Sequence, residues 1–125
     1  MAKQITTEKA PAAIGPYSQA MQIDNLIYTS GQIPIDPKTG NVEATDIAGQ
    51  TRQVMENLKA VLEAAGSSME KAVKTMCFLS DMGNFAAFNE IYAEYFTGKP
   101  ARSCIAAAAL PKAVLVEVEV IAEID

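Results

Sequence analysis

The chain contains no histidine among its 125 residues. This absence removes the commonest general base, the usual activator of a serine or cysteine nucleophile and the most frequent zinc ligand. The two cysteines, Cys77 and Cys104, are far apart in the sequence and form no CxxC motif, so they predict no metal site and indicate reduced, buried thiols of a cytoplasmic protein. Any catalysis must therefore use carboxylates, tyrosines, hydroxyls, cysteines, lysines or the two arginines, Arg52 and Arg102.

Glycine, basic clusters and long apolar runs are also scarce. Seven glycines, none in a GxGxxG or Walker pattern, disfavour nucleotide binding. A net charge of −5 without any basic cluster disfavours nucleic acid as a partner. Because no stretch of about 18 apolar residues occurs and the start of the chain does not resemble a signal peptide, we expect a cytoplasmic protein with no membrane contact.

The chain has enough apolar residues for one domain, which we predict to span residues 1–125. A mass of 13.3 kDa allows a core without disulfides or metals. Half of the residues are hydrophobic, but 21 of them are alanines, so large core side chains are fewer than this fraction indicates. Association with further copies of the chain would help to bury more apolar surface.

The hydrophobic periodicity predicts an α+β fold. One helix is expected between a cap at Asp46 or Thr45 and a stop at Gly66, and a second begins near Asn84 with its aromatic residues in the core. Strands are predicted at residues 3–7, 18–23, 26–31 and 72–79 and in the last quarter of the chain. We therefore expect a single sheet with two helices packed on one face.

Residues 99–123 are predicted to form an antiparallel hairpin, with a turn at residues 111–112. Such a hairpin would bring Arg102, at the start of its first strand, close to Glu117, in the middle of its second. Strand alternation points Glu117 away from the helices, onto a face that meets either solvent or a neighbouring subunit. The residues expected to face the helices are Val116, Val118 and Val120.

Arg102 and Glu117 each have a functional and a structural interpretation. Arg102 suits a clamp that holds a small carboxylate with two parallel hydrogen bonds, or it is a rim arginine paired with a glutamate. Glu117 is a general base if partial burial raises its pKa, or simply the polar face of a strand. Glu119 has the same alternation and cannot be separated from Glu117 by spacing.

Weaker candidates surround this pair. Cys104 lies two residues after Arg102, either as a nucleophile or as a packed thiol that lines a pocket. Tyr17 and the Ser30–Gly31 step supply a phenol, a hydroxyl and an accessible N–H that suit an anion, although turn geometry also explains them. Asn89 lies among the aromatics of the second helix, where a solvent-facing position is the simplest expectation.

Four segments together resemble one family, the Rid (YjgF-type) proteins and their RidA subgroup. They are IGPYSQA at residues 14–20, YTSGQIP at 28–34, PARSC at 100–104, and LPK at 110–112 followed by VEVE at 116–119. The resemblance covers nearly the whole chain in the same order. It implies a chorismate-mutase-like fold of the bacillary type, assembled as a homotrimer with three clefts between subunits.

The family resemblance also implies an activity and assigns roles to residues. It implies hydrolysis of reactive 2-imino acids, such as 2-iminobutanoate and 2-iminopropanoate, to 2-keto acids and ammonia with no cofactor and no metal. Arg102 would hold the substrate carboxylate with help from the Gly31 backbone, and Glu117 would activate the attacking water. The remaining pocket positions would be Tyr17, Ser30, Asn89 and Cys104. Residues 97–99 look shorter than in some relatives, at the rim that governs substrate size.

Three other functions remain as alternatives. A non-catalytic trimeric module could bind small metabolites or proteins through the same clefts. A chorismate mutase is disfavoured, since that chemistry needs several cations around a dicarboxylate and Arg102 is the only well-placed arginine. A nuclease is disfavoured by the missing histidine and by the acidic balance of the chain.

Overall fold

The computed structural model describes residues 1–124, which form two α-helices packed on one face of a six-stranded sheet. Within these residues no helix is long and apolar enough to cross a membrane. The strand order in the sheet is β1-β2-β3-β8-β6-β7, and β4 and β5 form a separate small hairpin. The elements are β1 (Lys3–Ile5), β2 (Ala20–Ile23), β3 (Leu26–Thr29), β4 (Ile35–Asp36), β5 (Asn41–Val42), α1 (Ile47–Ala64), β6 (Ala72–Leu79), α2 (Phe85–Tyr95), β7 (Ala101–Ala106) and β8 (Val116–Glu123).

Both predicted helices are confirmed, close to their predicted ends. Asp46 caps α1, because its Oδ1 accepts a hydrogen bond of 3.1 Å from the Gly49 N–H. Gly66 follows the helix with φ of 84°, a left-handed conformation that glycine adopts without strain. The predicted apolar stripe of α1 is buried against the sheet, and its members include Val54, Leu58, Val61 and Leu62.

The aromatic side chains of α2 pack into the core, as predicted. Phe88 and Tyr92 of the helix and Phe96, which directly follows it, are almost fully buried. The Tyr92 ring lies 5.6 Å from the Phe88 ring and 4.6 Å from the Phe96 ring, measured between centroids, in tilted arrangements that aromatic pairs favour. The helix thus attaches to β6 and β7 through its rings.

The side chains of β8 point alternately to the two faces of the sheet, as predicted. Val116, Val118 and Val120 are buried beneath the helices, whereas Glu117 and Glu119 point to the opposite face of the sheet. We call this opposite side the open face. It also presents apolar side chains to solvent, and the most exposed of them are Ile23, Tyr28 and Ile105.

The predicted hairpin of residues 99–123 is wrong. Strand β7 pairs in parallel with β6, while β8 pairs antiparallel with β6 and with β3, so β6 lies between the two strands. The reason is the preceding helix: α2 returns the chain to the end of the sheet at which β6 began, which makes β7 parallel to β6. The residues between β7 and β8 form a long connection containing the 3-10 turn Pro111–Ala113, which is not a hairpin turn.

Residues 36–40 form a turn within a small hairpin that the sequence did not predict. Strands β4 and β5 pair on either side of it, and Gly40 adopts φ of 76°. Asn57 of α1 fixes this hairpin, because its Nδ2 donates hydrogen bonds to the carbonyl oxygens of Ile33 and Ile35 at 3.1 and 2.9 Å.

Candidate functional site

The predicted site residues fall into two groups, each beside its own cavity. Tyr17, Ser30, Gly31 and Glu117 line a cavity of about 420 Å³, which we call the carboxylate half-site. Asn89 and Arg102 line a second cavity of about 600 Å³ between α2 and β7, which we call the guanidinium half-site. Cys104 lines neither of these cavities and packs partly buried against the core.

The register of the sheet places the two half-sites on opposite faces. Residues directly opposite each other on neighbouring strands point to the same face. Thr75 of β6 lies opposite Arg102 on one side and the buried Val120 on the other, so Arg102 points to the helix face. Phe78 lies opposite Glu117, which points to the open face. The predicted neighbourhood of Arg102 and Glu117 within one chain is therefore wrong, since it depended on the hairpin.

In the guanidinium half-site, three side chains of α2 hold Arg102. Its Nη1 donates a hydrogen bond of 2.6 Å to Asn89 Oδ1. The guanidinium carbon lies 4.7 Å from the centroid of the Tyr92 ring and 5.4 Å from that of Phe85, within the range of cation–π attraction. The predicted solvent-facing position of Asn89 is therefore replaced by a half-buried one in contact with Arg102.

Arg102 has donors left for a ligand. A guanidinium carries five N–H donors, and here one hydrogen bond to Asn89 is its only hydrogen bond among residues 1–124. The one ion pair within the same residues joins Arg52 to Glu94, and neither of these residues lines the cavity. Arg102 is thus a half-buried cation whose position is fixed by neutral side chains, an arrangement that suits a planar carboxylate.

Tyr92 is a site residue that the sequence analysis missed. Its hydroxyl shares a hydrogen bond of 2.7 Å with Thr75 Oγ1 in the core, and this bond fixes the ring that faces Arg102. The aromatic stripe was assigned to the core, and Tyr92 does belong to it. The signal that could have found it is helical spacing: Phe85, Asn89 and Tyr92 lie at i, i+4 and i+7 on one face of α2.

Cys104 lies beside Cys77, its partner in the β6–β7 register. Burial raises the pKa of the Cys104 thiol above its usual range, and the nearby Arg102 opposes this only in part. Burial also raises the pKa of Cys77, to about 12. Since the thiolate is the nucleophilic form, both side chains behave as packed thiols at neutral pH.

In the carboxylate half-site, Glu117 is a half-buried acid without a hydrogen-bond partner among the described residues. Burial raises the pKa of its carboxyl above the usual range, and the charge of Glu119 raises it further. Glu119 itself is exposed and does not line the cavity. These observations favour Glu117 over Glu119 as a base, a choice that spacing left open.

Gly31 lets the Glu117 carboxylate approach the backbone. A Cβ built on Gly31 would lie 2.9 Å from Glu117 Cδ and 3.1 Å from Cγ, closer than carbon atoms pack. The N–H of Gly31 makes no hydrogen bond within residues 1–124, whereas Gln32 next to it exchanges backbone hydrogen bonds with Val118 of β8. The cavity therefore presents a carboxylate and a free backbone donor side by side.

The hydroxyls of this half-site differ in what they can offer. Ser30 Oγ donates a hydrogen bond of 2.6 Å to the carbonyl oxygen of Ser18, so toward a ligand it can only accept. The Tyr17 ring is half exposed at the cavity mouth, with its backbone N–H bonded to the Gly15 carbonyl oxygen at 2.8 Å. Lys112, with φ of 55°, lines the same cavity and was not predicted as a site residue.

A larger cavity of about 630 Å³ lies between α1 and the β4–β5 hairpin and contains none of the predicted site residues. Its one deeply buried polar side chain, Asn57, is satisfied by the protein, because its Oδ1 accepts from Gln53 Nε2 at 2.9 Å and its Nδ2 donates to the β4 region. Nothing polar is left buried and unpaired in that lining for a ligand to bind.

Comparison with known proteins gives full-length similarities. The profile of a family described as Endoribonuclease L-PSP matches residues 7–124. A RutC family protein of Pyrococcus horikoshii is 54% identical over 123 residues, and a 2-iminobutanoate/2-iminopropanoate deaminase of Escherichia coli is 52% identical over 126 residues; each alignment covers 98% of both chains. A Yersinia pestis structure, described as a protein of unknown function of the conserved Rid family, is 50% identical with a TM-score of 0.96, covering 99% of this chain and all of that one.

Proposed function

The chain belongs to the Endoribonuclease L-PSP family, which is the Rid (YjgF-type) family indicated by its motifs, and from this premise we propose that it hydrolyses small 2-imino acids to 2-keto acids and ammonia. A relative sharing 52% identity over nearly the whole chain is named for that reaction. The reaction needs a cation for the substrate carboxylate, a water molecule and a modest base, because a protonated imine carbon is already electrophilic.

The observation that carries the proposal is a pair of charged groups that have no ion-pair partner within residues 1–124. Arg102 is positioned by neutral groups and bonds no carboxylate within residues 1–124, and Glu117 is half buried with no hydrogen bond there. Leaving a half-buried charge unpaired is unfavourable, so such groups are typical of binding and catalytic sites. Each group opens onto a cavity of several hundred Å³.

The separation of these groups supports an intersubunit site. A sheet and its side chains are about 10 Å thick, so a substrate of a few heavy atoms cannot touch both faces of one sheet. We therefore propose that the guanidinium half-site of one subunit meets the carboxylate half-site of its neighbour, in the homotrimer with three clefts that the family resemblance implies. The exposed apolar side chains of the open face, Ile23, Tyr28 and Ile105, supply surface for such an association.

In the proposed cleft, Arg102 binds the substrate carboxylate through two parallel hydrogen bonds, and the Gly31 N–H donates to the same group. The protonated imine nitrogen then has an acceptor in Ser30 Oγ, whose own proton is already donated to Ser18. Tyr17 closes the mouth of the cleft. The C=N carbon is held next to a water molecule bound to the Glu117 carboxylate.

The chemical step is a balanced hydrolysis. The water oxygen forms a bond to the C=N carbon while Glu117 accepts one water proton, which gives a neutral amino alcohol at that carbon. Glu117 returns this proton to the nitrogen, and the C–N bond breaks to release ammonia. As the carbonyl forms, the remaining hydroxyl gives its proton to Glu117, which passes it to the departing ammonia. One water and one iminium ion thus become one keto acid and one ammonium ion, with no change of oxidation state.

The raised pKa of Glu117 suits this role. A carboxylate with an ordinary pKa is a weak base, and a base becomes more effective as its pKa approaches the working pH. Burial and the neighbouring Glu119 raise the pKa of Glu117 in that direction. Arg102 lies on the other face of the same sheet, so it does not lower this pKa within the chain.

The first test compares the two arginines. An amino-acid oxidase or a threonine dehydratase supplies the imine, and release of the keto acid is followed with and without this protein. The wild type should accelerate release, and Arg102→Ala should lower kcat/KM by about 30-fold or more. Arg52→Ala is the matched control, because Arg52 is exposed and pairs with Glu94 outside both half-sites. Equal rates for the wild type and Arg102→Ala would refute the proposal.

A mixing experiment tests the intersubunit arrangement. Arg102→Ala and Glu117→Gln subunits are each purified, mixed, partly unfolded and reassembled. If each cleft takes Arg102 from one subunit and Glu117 from the next, random assembly gives an intact cleft in about a quarter of cases, and activity returns to about that share of the wild type. If both residues act within one subunit, every mixture stays inactive.

The same assays decide between catalysis and simple binding. A non-catalytic module would bind 2-keto acids in calorimetry but leave the rate of ammonia release at its uncatalysed value. The nuclease activity in the family's description is disfavoured for this chain, because a protein with net charge −5 and no basic cluster binds phosphate backbones poorly.

A further inference from the structure

The guanidinium half-site concentrates positive charge. Its lining contains two cationic side chains, Arg102 and Lys99, and no aspartate or glutamate. The chain as a whole has 15 acidic and 10 basic side chains, so this lining departs from the overall balance. Lys99 forms no ion pair within residues 1–124. A single substrate carboxylate bound to Arg102 would leave the second cation without an anion.

The backbone around Lys99 holds this residue at the rim of the cavity. Lys99 adopts φ of 53°, a left-handed conformation that is uncommon for a residue with a side chain and that is often found where a ligand is bound. Its N–H donates a hydrogen bond of 3.2 Å to the Phe96 carbonyl oxygen. Before it, Gly98 packs so closely on the chain that a Cβ there would lie 2.7 Å from the Glu70 carbonyl oxygen.

We propose that Lys99 binds a second carboxylate at the far end of the substrate, so that the site accepts 2-imino acids with an acidic side chain, such as iminosuccinate and 2-iminoglutarate. This inference rests on the proposed function. Lys99 and Arg102 are separated by at most about 10 Å of extended chain, and a lysine side chain spans much of that distance, so both cations can reach one small dicarboxylate.

The test measures a ratio of substrates. A D-aspartate oxidase generates 2-iminoglutarate from D-glutamate, and a D-amino-acid oxidase generates 2-iminopropanoate from D-alanine. In Lys99→Gln, kcat/KM for 2-iminoglutarate should fall by about three- to fivefold, the size expected for one ion pair of the exposed Lys99, while kcat/KM for 2-iminopropanoate stays unchanged. The charge reversal Lys99→Glu should enlarge the effect. Raising the salt concentration should shrink it, because salt screens exposed charges.

The control is Lys59→Gln, which removes the same charge from an exposed lysine of α1 that lines a different cavity. It should leave both substrates unaffected. If Lys99→Gln changes both substrates equally, or neither, the proposal is overturned.

Binding of the products separates this proposal from the proposed function. Calorimetry with 2-oxoglutarate and with pyruvate measures the same charge preference without turnover. Lys99→Gln should weaken the binding of 2-oxoglutarate by about the same three- to fivefold factor and leave the binding of pyruvate unchanged. If no imine is hydrolysed by the wild type, the proposed function has failed while this binding ratio still decides on Lys99. If neither keto acid binds the wild type, or the ratio does not change, the role of Lys99 is refuted.

Discussion

Gly31→Ala is the most informative single substitution in the carboxylate half-site, because it should damage the position of Glu117 without damaging the fold. Gly31 has no positive φ, so alanine fits its backbone. The three atoms nearest to the added methyl group all belong to the Glu117 side chain. The far end of that side chain is flexible and faces a cavity, so it can move away at small cost.

The size of the effect follows from distances. The new Cβ would overlap Glu117 Oε2 and lie 2.9 Å from Glu117 Cδ, whereas carbon atoms in contact are about 3.5–4.0 Å apart, so the carboxyl must retreat by at least about 1 Å. A misplacement of about 1 Å at a reacting group can cost about 100-fold in rate. We therefore expect kcat to fall by about 10- to 100-fold, or about 1.4–2.7 kcal/mol, while a shifted rotamer costs only about 0.5–1.5 kcal/mol of stability.

The assay is imine hydrolysis for four proteins: the wild type, Gly31→Ala, Glu117→Gln and the double variant, with thermal unfolding of each. If Gly31→Ala acts through Glu117, it should cost nothing further in the Glu117→Gln background, which a double-mutant cycle measures. The reasoning is refuted if Gly31→Ala keeps kcat within about threefold of the wild type, or if its effect is fully additive.

Two further predictions concern one residue in each half-site. Tyr92→Leu removes the ring beneath Arg102 and should raise KM for a carboxylate substrate by about 2- to 30-fold, the range of a cation–π contact. Tyr92→Phe keeps a ring and should have nearly the wild-type KM, and Tyr95→Leu, which removes the ring beside Arg52, should leave KM unchanged. An equal KM for Tyr92→Leu and Tyr95→Leu contradicts this role. The pKa of Glu117 is raised in the folded state above its unfolded value, so the stabilising contribution of this carboxyl is present at low pH and lost as pH rises. The Tm of Glu117→Gln relative to that of the wild type should therefore increase from pH 4 to pH 7. A Tm difference that does not depend on pH contradicts the burial of this carboxylate.

Local patterns predicted the elements of this fold well. Asp46 and Gly66 mark the ends of α1 through capping and left-handed geometry, which depend on a few neighbouring residues. The faces of β8 follow from a period of two, so its buried valines could be assigned before the structure. Such features need no knowledge of distant parts of the chain.

Strand pairing could not be predicted in the same way. Residues 99–123 contain two apolar runs and a proline, which is the local pattern of a hairpin, but both strands pair with β6, which lies outside this segment at Ala72–Leu79. The pairing depends on the crossover through α2 and on β8 filling the gap between β3 and β6. These are long-range choices, and no local period records them.

In the candidate site too, local features could be predicted from the sequence and long-range placement could not. Arg102 and the Ser30–Gly31 step could be proposed from their chemistry, whereas Glu117 was chosen over Glu119 only through the family resemblance. Their placement on two faces could not be predicted, since it follows from the pairing of β6. Tyr92 was missed because an aromatic residue at helical spacing is usually core, and here one ring serves both the core and the guanidinium.

The separation of Arg102 from Glu117 has a chemical advantage for the proposed reaction. Within one chain, direct contact would let the two charges neutralise each other: the guanidinium would lower the pKa of the carboxyl, and the carboxylate would occupy the donors that a substrate needs. On opposite faces, Glu117 keeps a raised pKa and Arg102 keeps its donors. In the proposed cleft the two groups face each other across a subunit boundary with the substrate between them, so the arginine bonds the substrate carboxylate, the glutamate bonds the water, and neither bonds the other. A site built this way stays inactive in the isolated subunit and becomes active on assembly, so activity should depend on protein concentration wherever the oligomer dissociates.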